Sequence, residues 1–135
     1  MFLLDSDTVI FALKGHPAVR ANLKIHLEAP IKVSVVTFME LYYGAYKSQK
    51  VTSNLAKIRT LEESLEIIPL GPELAGVFGR LKAQLESSGA RLDDFDLAIA
   101  ASALAYDLTL VTNNVKHFRR VEGLKLANWT KHQHP

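Results

Sequence analysis

Four short aliphatic segments, Phe2-Leu3-Leu4, Ile31-Lys32-Val33-Ser34-Val35-Val36, Leu65-Glu66-Ile67-Ile68 and Leu108-Thr109-Leu110-Val111, recur between longer stretches with helical spacing. Runs of this kind are typical of strands buried on both faces, and their alternation with helices implies crossover connections and a parallel sheet. The intervening helices are expected at about Thr8 to Lys14, Pro17 to Leu27, Thr37 to Ser48 and Ser53 to Ser64. Another opens at Gly71-Pro72-Glu73, with proline in its first turn, and closes near Ser87-Ser88-Gly89, where Gly89 can take a left-handed cap. The last runs from about Asp93 to Ala105. No internal repeat, low-complexity tract or long linker interrupts the series. The expected architecture is therefore α/β: a single α/β/α domain over residues 1–135, with a central parallel sheet flanked by helices.

Composition narrows the function classes. With 135 residues, 48% of them hydrophobic, the chain can bury a core of useful size without cross-links. It has no cysteine, which removes disulfides, thiolate metal sites and thiol nucleophiles, and is compatible with a reducing cytoplasm. The opening apolar stretch is broken by Asp5 and Asp7, so it reads neither as a secretory leader nor as a membrane span. The expectation is a cytoplasmic protein without membrane attachment.

Acidic residues at the borders of apolar segments are the main chemical signal. Asp5 closes the first strand, Glu40 follows the second and is expected in the first turn of the next helix, and Asp96 lies within Leu92-Asp93-Asp94-Phe95-Asp96-Leu97-Ala98-Ile99. In open parallel sheets ligands bind beyond the carboxyl ends of the strands, so Asp5, Glu40 and the Asn113-Asn114 pair fall on one edge. Asp96 joins them if its helix starts over that edge. Desolvating such carboxylates is costly unless a cation compensates, and a hard divalent metal is one suitable partner.

Each acid also has a purely structural reading. Asp93 can be an N-cap, Asp96 can reach back as in a capping box, and Asp94 suits the positive end of the helix dipole. Asp5 can be a turn residue or the N-cap of the helix near Thr8, and Glu40 can be a solvated first-turn residue. The net charge of +2 says little by itself. If Asp5, Glu40, Asp94 and Asp96 share a pocket, however, the remaining surface carries a basic excess suited to an anionic polymer, and Lys116, Arg119, Arg120, Lys125 and Lys131 strengthen it near the end of the chain. An ordinary solvated basic face is the alternative.

Carboxylates of this kind suit Mg²⁺ or Mn²⁺, with waters and substrate phosphates as the remaining ligands. Such an ion activates water and neutralises charge on a phosphoryl group, which makes phosphodiester hydrolysis the natural reaction. Asp5-Ser6-Asp7 also fits the Asp-x-Asp signature of haloacid-dehalogenase-like phosphohydrolases, with Asp5 as nucleophile, although the chain is short for that fold.

Four segments in order carry a closer resemblance. They are Phe2-Leu3-Leu4-Asp5; Ser34-Val35-Val36-Thr37-Phe38-Met39-Glu40-Leu41-Tyr42-Tyr43-Gly44-Ala45; Asp94-Phe95-Asp96-Leu97-Ala98-Ile99-Ala100-Ala101; and Leu108-Thr109-Leu110-Val111-Thr112-Asn113-Asn114, leading to Phe118 and Trp129. With them the chain resembles the PIN-domain ribonucleases, and within these the VapC-type toxins of prokaryotic toxin–antitoxin pairs.

The resemblance implies a Mg²⁺- or Mn²⁺-dependent endoribonuclease acting on RNA, with Asp5, Glu40 and Asp96 as the metal-binding and catalytic set. It implies that Thr112 and Asn114 border the pocket and orient ligands or water, with Asp94 and His117 nearby as RNA-binding or supporting residues. Two positions depart from the family pattern: Asp7 stands where relatives carry asparagine, and His117 where many carry a fourth acid. A neutral imidazole there can ligate a metal and a protonated one can touch phosphate, while an exposed loop histidine is the structural alternative. His16, His26, His132 and His134 lack ligand-like spacing. The resemblance further implies a cognate antitoxin and a homodimer. Phe38, Met39, Leu41, Tyr42 and Tyr43 supply more apolar surface than one helix face can bury internally, unless core packing absorbs them. A non-catalytic PIN-like binding module is the remaining alternative.

Overall fold

The computed structural model describes residues 1–131, so His132 and His134 lie outside the described part. Five strands form one wholly parallel sheet: β1 (Phe2–Leu4), β2 (Ile31–Ser34), β3 (Glu66–Ile68), β4 (Thr109–Val111) and β5 (Leu126–Ala127), in the order β3-β2-β1-β4-β5. Seven helices connect and cover them: α1 (Ser6–Leu13), α2 (Pro17–Ile25), α3 (Val35–Lys47), α4 (Val51–Ser64), α5 (Glu73–Ser87), α6 (Asp94–Ala105) and α7 (Val115–Phe118).

The period-two alternation of strand side chains builds a core on each face. Leu3 and Leu110 point into a cluster with Leu81, Leu85, Leu97, Ile99 and Phe118, beneath α5, α6 and α7. Their neighbours Leu4, Val33 and Val111 point the other way, into a cluster with Val9, Val19, Phe38, Leu41, Ile58 and Trp129, beneath α1 to α4. The sheet is thus the middle layer of the expected α/β/α arrangement, and its strands are apolar on both faces because neither faces water.

Several boundaries moved for identifiable reasons. Val35 and Val36, expected in the second strand, begin α3 instead, because the Ser34 hydroxyl accepts the Val36 N–H at 3.1 Å and caps the helix. Glu40 is consequently the sixth residue of its helix, in the second turn rather than the first. Asp5 similarly caps α1 through Thr8 N–H, so that helix starts at Ser6. α4 starts at Val51 rather than Ser53. Helix α7 and strand β5 were not expected, since four and two residues are too few to show a period. The expected glycine stop did form: Gly89 has φ +73°, and the Gly89→Glu86 and Ala90→Leu85 backbone bonds make a Schellman motif.

The order in which strands are added to the sheet reverses between β1 and β4, with β1 leading through β2 to β3 on one side and β4 pairing β5 on the other. Asp5 leaves β1 and Thr112 leaves β4 at that crevice, the usual ligand position in such sheets. Among the described residues, no helix is long and apolar enough to cross a membrane.

Candidate active site

Asp5 is buried, 6% exposed, and is held from three sides. Its backbone N–H donates to Val111 O at 3.0 Å, which locks the end of β1 to the end of β4. Its carboxylate accepts the Thr8 N–H at 2.9 Å, and the Thr112 hydroxyl beside it favours its charged form. Burial raises the Asp5 pKa above the ordinary carboxylate value, and the Thr112 and Thr8 bonds offset only part of that rise. Thr112 is oriented in turn, because its oxygen accepts the Asn114 N–H at 2.9 Å and its own N–H donates to Ala127 O on β5 at 2.9 Å. The unforeseen fifth strand therefore helps to fix a site residue.

Glu40 is half-buried and reaches the same edge from α3. The Ser6 hydroxyl donates to its Oε1 at 2.7 Å and lies 3.3 Å from Thr37 Oγ1. Asp96 sits in the first turn of α6, with its N–H donating to the Asp93 carboxylate at 3.0 Å. Its pKa is raised to about 7, first by burial, then by the Asp93 carboxylate, and then by the charges of Glu40 and Asp5. Asp96 thus feels both other acids, which marks the three as one electrostatic unit. Asp93 is the N-cap that its position suggested, and its charge belongs to the same neighbourhood.

The other candidates divide. His117, on α7, brings Nε2 to 3.7 Å from Asp96 Oδ2, beside the pocket. Asn114 contributes its N–H to Thr112, while its side chain is exposed. Asp94 is drawn away from the three acids, since it is exposed and paired with Lys82 Nζ at 3.0 Å. This corrects the four-acid pocket, with a physical cause: successive helical residues point about 100° apart, so Asp94 and Asp96 do not share a face. Asp7 is exposed in the first turn of α1, and its charge adds to the rise at Asp5.

Sequence reasoning missed Ser6 as a support of Glu40, Thr37 as a neighbour of the Ser6 hydroxyl, and Thr8 as a support of Asp5. Thr37 carried a signal, lying three residues before Glu40 on one helical face. Ser6 carried none, because its partner is 34 residues away. His16 and His26 have structural uses: His16 caps α2 through the Val19 N–H, and His26 stacks on Trp129 with centroids 4.9 Å apart.

The donor set at the pocket consists of carboxylate and hydroxyl oxygens plus one imidazole, which fits a hard or borderline divalent ion. Among the described residues, no three His, Asp or Glu side chains are already drawn into a cage. An ion that takes a few carboxylates and keeps its waters does not require one.

A parallel sheet whose central strand end, neighbouring helix and α6 first turn present three carboxylates to one crevice defines a class: an α/β domain with an acidic strand-end site. The PIN domain family model matches residues 2–124, and the chain belongs to that family. It is 35% identical over 133 residues to Ribonuclease VapC2 of Rickettsia felis, covering 97% of this chain and 99% of the relative. It is 36% identical over 130 residues to the tRNA(fMet)-specific endonuclease VapC of Shigella flexneri, covering 96% and 98%. In structure it is similar to VapBC2 from Rickettsia felis bound to a promoter DNA fragment, with TM-score 0.88, 35% identity and coverage of 95% and 98%. The chain is a PIN-domain protein of the VapC ribonuclease group. Membership in this group displaces the haloacid-dehalogenase reading.

Proposed function

We propose that the protein is a Mg²⁺- or Mn²⁺-dependent endoribonuclease that hydrolyses RNA phosphodiester bonds, and that Asp5, Glu40 and Asp96 hold the ion. The observation that carries this is the gathering of acids at the β1/β4 edge, where Asp5 is held by Thr8 and Glu40 by Ser6, and where Asp96 is crowded by both, a crowding that a divalent cation would relieve. When bound, such an ion acidifies a water and neutralises charge on the phosphoryl group. The chain's own residues do the positioning. Thr8 fixes the Asp5 carboxylate, Ser6 fixes Glu40, and the α6 first turn presents Asp96. Thr112 and Asn114 border the pocket, His117 flanks Asp96, and Asp94 with Lys82 and Arg91 lines an adjoining recess open to an approaching strand.

The name of the Shigella flexneri relative makes transfer RNA the first substrate class to test. The VapBC complexes among the structural relatives support a cognate antitoxin partner. Its natural seat is the groove along α1 and α3, where Ile10, Met39, Tyr43 and Phe95 adjoin Asp7 and Glu40 in a cleft of about 550 Å³. Met39, Tyr43 and Phe95 are 46%, 65% and 46% exposed, so an apolar segment laid there would cover them and close the site. We also propose a homodimer and a cytoplasmic setting, where its RNA substrate resides.

Incubating the chelator-treated protein with RNA, with and without Mg²⁺ or Mn²⁺, tests the reading. Cleavage should need an added ion and should be lost in Asp96→Asn. Equal cleavage by wild type and Asp96→Asn, or no cleavage with either ion, would overturn it. Light scattering of the purified chain tests the homodimer.

A further inference from the structure

The side chain of His117 is the best-placed group at the pocket that the carboxylate scheme leaves without a defined task. It lies on the single turn of α7, whose next residue, Phe118, is 1% exposed and anchors the turn in the core. The two rings are edge to face, with centroids 5.9 Å apart and planes at 82°. His117 itself is 29% exposed, so its ring is partly sheltered without being sealed off. Its Nε2 stands 3.7 Å from Asp96 Oδ2, too far for a hydrogen bond.

That separation suits two ligands of one ion. With metal–ligand bonds of about 2.1 Å, octahedral ligands stand about 3.0 Å apart when adjacent and about 4.2 Å apart when opposed. The observed distance lies between these limits, so small side-chain adjustments would let both groups bind. An imidazole also adds a donor to the three acids without adding a fourth negative charge. Nitrogen donors favour transition-metal ions, whereas Mg²⁺ prefers carboxylate, carbonyl and water.

We propose that His117 is a nitrogen ligand of the site's divalent ion, flanking Asp96, and that it makes this pocket selective for a transition-metal ion over Mg²⁺. The proposal rests on the metal-dependent reading above and goes beyond it, since that reading needs only the three acids.

The test uses chelator-stripped full-length protein titrated calorimetrically with MnCl₂ and MgCl₂, together with pulsed electron paramagnetic resonance of the Mn²⁺ form. Wild type should show a directly coordinated ¹⁴N coupling that disappears in His117→Gln. That variant should bind Mn²⁺ about tenfold more weakly, with a change of less than about threefold for Mg²⁺. His117→Glu, with circular dichroism checking its fold, should retain Mg²⁺ binding and lack the nitrogen signal. Absence of ¹⁴N coupling in wild type, or its persistence in His117→Gln, overturns the proposal. If wild type still binds Mn²⁺ and cleaves RNA without nitrogen coupling, only the role of His117 fails. If it binds neither ion, the metal reading fails with it.

Discussion

Ser6 donates its hydroxyl hydrogen to Glu40 Oε1 at 2.7 Å, joining the first residue of α1 to the second turn of α3 across the carboxyl edge of the sheet. The bond fixes which way one acid faces before any ligand arrives. Ser6→Ala should therefore free the Glu40 side chain without disturbing its helix. We expect kcat/KM for RNA cleavage to fall about tenfold, the equivalent of about 1.4 kcal/mol, in line with the loss of a hydrogen bond to a charged group. An unchanged kcat/KM would show that Glu40 needs no such support.

Neutralising the acids should separate activity from stability. Asp5→Asn and Asp96→Asn should each lower RNA cleavage by about 100-fold or more, because each removes one of the negative ligands proposed for the ion. In metal-free protein, Asp96→Asn should melt no lower than wild type, because it removes a carboxylate crowded by Asp93, Glu40 and Asp5. Cleavage assays and melting of the same preparations would test both halves. A collapse in melting temperature for Asp96→Asn would mean that the acid serves the fold.

The raised pKa of Asp96 sets a pH dependence with a definite sign. A carboxyl whose folded pKa of about 7 lies above its reference value of 3.8 binds its proton more tightly when folded, so its contribution to stability is fully present below pH 3.8 and is lost as pH rises through 7. With the side chain 30% exposed, solvent screening reduces the effect to about 1–2 kcal/mol. In metal-free protein, wild type should lose stability relative to Asp96→Asn between pH 4 and pH 8, as followed by urea unfolding. Parallel curves for the two proteins would count against the crowding.

The same proton competes with the ion. Because Asp96 must ionise to bind a cation, affinity for Mn²⁺ should weaken about tenfold between pH 8 and pH 6, with a proton released on binding. Calorimetry in buffers of different ionisation enthalpy would measure that proton directly. A pH-independent affinity would place the ion away from Asp96.

Far from the pocket, Asn22 secures the end of the described chain. It is fully buried, and its Nδ2 lies 3.0 to 3.1 Å from the carbonyl oxygens of Ala18, Trp129 and Lys131. Asn22→Ala should cost about 2 kcal/mol by leaving buried carbonyls unpaired, and Trp129→Ala about 3–5 kcal/mol through the cavity left among Phe2, His26 and the α2 face. Denaturant melts would give both values. Little change in either would show that the segment after β5 is only loosely seated.

Legibility in the sequence followed the range of the interaction. The strands β1 and β4, most of the helices and the Gly89 stop depend on neighbours a few residues away, and their patterns were plain. Val35 and Val36 misled because β-branching suggested strand while one serine cap favoured helix. Asp5, Glu40 and Asp96 were visible as candidates because each interrupts an apolar run. Asp94 was expected only as a neighbour of Asp96 in the same first turn, and the direction of its side chain, toward Lys82, was not legible in the sequence.

The sequence by itself determined that this chain builds a parallel sheet between helices and that carboxylates end up where its strands stop, because hydrophobic periodicity and strand polarity are local properties. Only the tertiary structure decided which acids crowd one another, that Ser6 restrains Glu40, that β5 holds Thr112, and that His117 meets Asp96. Those outcomes depend on contacts between residues far apart in the chain, which no local pattern encodes.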